Sequence, residues 1–168
     1  MSFKAVFLWN NPYLWEAKTT SMYTTVQFIH SYWAYLVVLI VTLATINALA
    51  GYFSKREYAP KDFRISLFAL IVTHIQLLIG LVLFFVSPLG LQNITNNGMG
   101  EVMSNPTYRL YAVEHPLMML ITVVLITVGY SKHKKKLVST PKFKMLAIFY
   151  TLALIALLSR IPWGQWFN

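Results

Sequence analysis

Cysteine is absent and charge is scarce. Without cysteine the chain cannot form disulfides, thiolate metal sites or iron–sulfur clusters, nor attach a c-type haem covalently. Charged residues make up 11% of the 168, against about 25% in average usage. Hydrophobic residues reach 57%. That balance leaves too little polar surface for a soluble domain, and the length suits one domain. Acids are scarcer than bases, giving a net charge of +9. Such a charge can signal nucleic acid, but here the basic residues crowd into two short stretches between apolar runs, so no nucleic-acid partner is expected.

Four apolar runs dominate what is there: Val26–Phe53, Ile65–Val86, Leu110–Tyr130 and Met145–Ile161. A helix crossing the hydrocarbon needs about 20 mostly apolar residues, and the runs come close to that or exceed it. A bilayer offers backbone groups no water, which makes the helix the spanning form. The alternating segments of about 10 residues that a barrel would need do not occur. The expected fold class is all-α, a four-helix transmembrane bundle with up-down-up-down topology.

Orientation follows from the bases. Lys55, Arg56, Lys61 and Arg64 lie between runs one and two. Lys132, Lys134, Lys135, Lys136, Lys142 and Lys144 lie between runs three and four. These two loops hold 10 of the 14 lysines and arginines. By the positive-inside bias both loops are cytoplasmic and both termini non-cytoplasmic. Tyr32, Trp33, Tyr108, Tyr111, Trp163 and Trp166 read as an aromatic belt at the opposite interface. The basic loop Ser131–Lys144 is expected to attract anionic lipid headgroups.

Residues 1–21 fit no signal-peptide pattern and read as an N-terminal extension at the interface, ahead of a bundle over residues 22–168. The loop Ser87–Thr107 is the longest connection. It is rich in turn residues, among them Pro88, Asn96-Asn97-Gly98 and Pro106, with part of it a short helix across the bundle mouth. Its tripeptide Asn93-Ile94-Thr95 matches a glycosylation sequon, which is common by chance.

Ionisable residues inside spanning segments are costly and mark function. They are His30 in helix one, His74 in helix two, Glu114 and His115 in helix three, and Arg160 in helix four. His133, in the basic loop, reads as solvated. Three histidines on three helices point to a haem or a metal, because bundle cores hold cofactors between facing helices and imidazole suits iron, copper and zinc. The rival reading makes them hydrogen-bonding residues of a transport path. At 1.5 Å rise per residue, His30 lies roughly 34 Å above Phe53, His115 roughly 25 Å above Lys132 and His74 about 15 Å above Arg64. His30 and His115, on diagonal helices, form the expected axial pair. Their counted offset is about 9 Å, and His115 with His74 at about 10 Å stays open.

Arg109 and Arg160 sit at the level of those histidines. Either their forks hold haem propionates, or Arg160 snorkels and Arg109 pairs with Glu114. Glu114 itself could fix the tautomer of a ligand histidine, accept protons from a quinol, or pair structurally with an arginine. Gly80 would let helices approach or leave room for a flat macrocycle. Asn47 reads as interhelical glue. Pro116 is placed at the start of helix three, where proline is tolerated.

The strings Thr73-His74-Ile75-Gln76-Leu77-Leu78-Ile79-Gly80, Phe85-Val86-Ser87-Pro88-Leu89-Gly90, Tyr108-Arg109-Leu110-Tyr111-Ala112-Val113-Glu114-His115-Pro116 and Ser159-Arg160-Ile161-Pro162-Trp163 resemble a family of small four-helix bacterial membrane proteins often labelled cytochrome b-like. The resemblance runs from Met22 to the C-terminus. It implies residence in a bacterial cytoplasmic membrane and carries over His30, His74, Arg109, Glu114, His115 and Arg160. A looser similarity is to one half of haem A synthase, which pairs two such halves where this chain has one. The leading expectation is a b-type haem protein for one-electron transfer, with quinone as a redox partner. The alternatives are a cofactor-free accessory or assembly subunit of a respiratory complex, and a haem-modifying or metal-handling enzyme.

Overall fold

The computed structural model describes residues 12–166, with side-chain surroundings from residue 20 onward. The described residues are helical apart from short connections. They form α1 (Pro12–Phe53), α2 (Pro60–Val86), α3 (Leu91–Ser104), α4 (Pro106–Lys134), α5 (Ser139–Ser159) and a 3-10 turn at Trp163–Gln165. Four of them, α1, α2, α4 and α5, are long and apolar enough to cross a membrane.

Each helix starts before its apolar run, while α5 stops at Ser159, short of Ile161. Helices stop where caps stop them, not where hydrophobicity falls, because glutamate, alanine and lysine carry a helix as well as leucine does. So α1 begins at Pro12, not Val26, and half of the expected extension is helix continuous with the bundle; residues 1–11 lie outside the described residues. With 42 residues, α1 is about 63 Å long, twice the roughly 30 Å of hydrocarbon. Its far end at Lys55 closes in the left-handed region, φ 53°.

The starts of α2 and α4 are built by short-range chemistry. At α2, Pro60 takes the first turn and the Asp62 carboxylate accepts from the Ala59 N–H at 2.8 Å. That arrangement satisfies an orphan donor and favours the helix dipole. At α4, Asn105 Oδ1 accepts from the N–H groups of Thr107 and Tyr108, at 3.0 and 3.2 Å, with Pro106 following. The helix therefore starts four residues before Leu110, and Pro116 falls inside it. Proline lacks an N–H and its ring clashes with the carbonyl four residues back. A π turn over Leu110–Glu114 absorbs the mismatch, with His115 N–H bonded to Leu110.

The four long helices form a ring. α1 borders α2 and α5, and α4 borders the same two, so α1 and α4 lie on a diagonal. Val37, Val41, Ala44 and Ala48 on α1, with Leu146, Tyr150, Ala153 and Leu157 on α5, make the buried seam. Both sets are spaced four, three, four, the period of a left-handed bundle. Close approach depends on glycine: a Cβ on Gly51 would enter the Phe143 ring, and one on Gly129 would come 2.6 Å from Phe149 Cβ. Outside, Phe28, Leu39, Ile46, Leu78, Phe85 and Ile155 are each more than half exposed. An apolar girdle of that kind suits lipid.

Tight connections join the ends. At the end carrying the basic loops, Asp62 is fully buried and receives both terminal nitrogens of Arg56 at 2.7 and 2.8 Å. Asn47 closes the cluster, donating to Asp62 at 2.9 Å and accepting from Arg56 at 2.9 Å. The Arg56 guanidinium also lies 4.6 Å from the Phe143 ring centre. Hydrogen bonding to Asp62 pushes the Arg56 pKa above its already high ordinary value. At the other end α3 packs beside the start of α4, kinked at Gly98 where φ is 80°. The sequon residue Asn93 is buried, 2% exposed.

Candidate functional site

The diagonal helices α1 and α4 bring His30 and His115 together. Their ring centres lie 6.1 Å apart at 75°. The depth offset counted from the helix ends does not keep the rings apart. Both rings are partly buried. His115 Nδ1 meets the Arg160 carbonyl at 2.8 Å. A carbonyl only accepts, so Nδ1 carries the proton and Nε2 keeps a free lone pair.

His30 is held differently. Gln76 on α2 donates to the His30 carbonyl at 3.0 Å, and the same amide nitrogen stands 3.4 Å from His30 Nε2. Its Nδ1 is buried without any partner. Buried polar atoms are nearly always paired, so an orphan calls for an explanation. The ring packs over Gly80, where a Cβ would come 3.1 Å from Cε1. The imidazole of His30 thus sits against the space left by Gly80.

The charged residues gather beside this pair. Glu114 receives Arg109 Nε on one oxygen at 3.0 Å and Arg160 Nε on the other at 3.3 Å. Arg109 also donates to the Met103 carbonyl at 2.8 Å, tying in the end of α3. Two guanidinium groups and one carboxylate leave one positive charge in excess. Both arginines face Glu114 through Nε, so part of each fork remains for a further anion.

His74 belongs elsewhere. Its Nδ1 donates to the Leu70 carbonyl at 2.8 Å and its Nε2 stands 3.4 Å from Thr127 on α4. Thr127 lies twelve residues beyond His115, about 18 Å along the helix. The pairing of His74 with His115 is therefore not made. His133 is corrected too: it is 1% exposed, not solvated. It sits against Tyr130, Tyr58 and Phe63, with ring centres at 5.0, 5.8 and 6.2 Å. The Gly129 and Tyr130 carbonyls lie beside the ring, but neither is aligned for a hydrogen bond. Helix α4 runs on to Lys134 and turns His133 inward, which its place in a lysine-rich string concealed. Trp33 likewise serves the bundle, donating to the Val72 carbonyl on α2 at 3.0 Å.

Among the described residues no three His, Asp or Glu side chains converge as a metal cage. What converges is a pair of imidazoles from opposite helices. Two such imidazole donors would suit haem iron. The orphaned nitrogen on His30, the fixed tautomer of His115 and the surplus cation for carboxylates all fit that group. No protein-family model, curated protein or solved structure matches the chain.

Proposed function

We propose that this chain is a b-type haem protein of a bacterial cytoplasmic membrane, moving single electrons to or from quinone. Its four helices run up-down-up-down, with both termini on the non-cytoplasmic side. The observation that carries the reading is the facing pair His30 and His115 on diagonal helices, beside two arginines. His30 and His115 hold the iron. Arg109 and Arg160 engage the propionates while Glu114 keeps the two forks in place. A bound haem would supply reversible one-electron chemistry, tuned by its ligands and its burial. The chain supplies orientation: the Arg160 carbonyl sets the His115 tautomer, and Gln76 and Gly80 set the His30 ring.

The test is a visible spectrum of membrane-extracted protein made with ample haem. A reduced-minus-oxidised band of b-type haem is expected. His30→Ala or His115→Ala removes the six-coordinate low-spin form, and His74→Ala leaves it. Colourless protein would instead favour a cofactor-free subunit of a respiratory complex. A reporter fused after Asn168 reads as non-cytoplasmic, and one placed between Lys132 and Lys144 as cytoplasmic.

A further inference from the structure

At the basic end a groove of about 380 Å³ opens between α1 and α5, away from His30 and His115. Its floor is made by two small side chains one turn apart, Ala147 and Thr151. Leu49, Phe53 and Ile148 form its walls, and Lys144 stands at one end. Phe53 is 74% exposed and Ile148 43%, so the groove faces outward into the apolar girdle.

The lysines here are not equivalent. Lys132, Lys134 and Lys142 each lie over an aromatic ring of the bundle, Phe149, Tyr130 and Tyr58 respectively, at 5.1–5.3 Å. Lys144 lies over none and has no acidic partner among the described residues. An unengaged ammonium beside an apolar furrow suits a molecule with an anionic head and a hydrocarbon tail. Basic pockets between membrane helices on the cytoplasmic side bind such headgroups.

We propose that this groove holds one acyl chain of an anionic phospholipid, with its phosphate on Lys144. The alternating small and large side chains of α5 give the tail its track. The lysine gives the site its choice of headgroup, since a zwitterionic lipid brings no net charge to the ammonium.

Native mass spectrometry of the full chain in detergent tests this, with phosphatidylglycerol and phosphatidylcholine of identical acyl chains offered in equal amounts. One phosphatidylglycerol should be retained in preference. Lys144→Gln should lower that retention about five-fold, the worth of one lysine near a lipid surface. Ile148→Trp should lower it by filling the furrow, while Lys134→Gln should leave it unchanged. Equal retention of both lipids, or no loss in Lys144→Gln, overturns the proposal. So does an equal loss in Lys134→Gln, which would mean a diffuse basic field. A dimer that forms in place of the lipid complex and is broken by Ile148→Trp would show a second copy in the groove, and would overturn it as well.

Discussion

Two polar clusters, one at each end of the bundle, treat buried groups in opposite ways. At the basic end Asp62 is wholly enclosed, and Arg56, Asn47 and the Ala59 N–H bond both its oxygens. At the other end His30 keeps an unpartnered nitrogen, and His115 has only one nitrogen fixed by a partner within the chain. A saturated network rigidifies a loop and has nothing left to offer a ligand. A half-satisfied pair costs stability and keeps its lone pairs available. The contrast separates a structural polar cluster from a candidate site, although both consist of expensive residues in an apolar setting.

Variants can break or sharpen this contrast. The largest effect is expected at the saturated end. Asp62→Ala strands Arg56 and frees the start of α2, so unfolding in detergent should become easier by about 3 kcal/mol. Gly51→Ala should follow at about 1–3 kcal/mol, because its Cβ meets the Phe143 ring on which Arg56 rests. Both are read by denaturant titration followed by circular dichroism. A loss below 0.5 kcal/mol for Asp62→Ala would contradict the structural assignment.

The histidine end should respond in the reverse sense. In haem-free protein His30→Leu should change stability by less than about 1 kcal/mol, since it removes a buried ring nitrogen that has no partner. The same change should abolish the low-spin spectrum. Gly80→Ala presses on His30 Cε1 from 3.1 Å. It should shift the haem spectrum or midpoint potential while leaving the fold intact. The smallest effect belongs to His133→Phe. The ring lies among aromatics with no aligned hydrogen bond, so stability should hold or rise by up to about 1 kcal/mol. A clear loss there would reveal a partner for His133, whose two buried ring nitrogens otherwise leave the basic end less saturated than Asp62 suggests.

Four apolar helices, the two basic loops and the list of costly residues were legible from composition and run length alone. These features depend on local hydrophobicity and on where charges sit along the chain, and neither requires knowing what touches what. Asn105 and Pro106 start α4, where the apolar run alone pointed to Leu110. Three-dimensional contact decided the remainder. The rise per residue left His30 and His115 apart, because a count from the ends of apolar runs assumes that those ends lie at one level. Lys, His and Lys in one string look solvated until the helix phase turns His133 inward. Asp62 went unremarked among the bases of its loop, and only folding set Arg56 and Asn47 beside it. Sequence determined which segments can live in lipid, because transfer of each side chain is nearly independent of its neighbours. Tertiary structure decided which polar groups are satisfied, because a hydrogen bond needs two partners brought within 3.5 Å from distant parts of the chain.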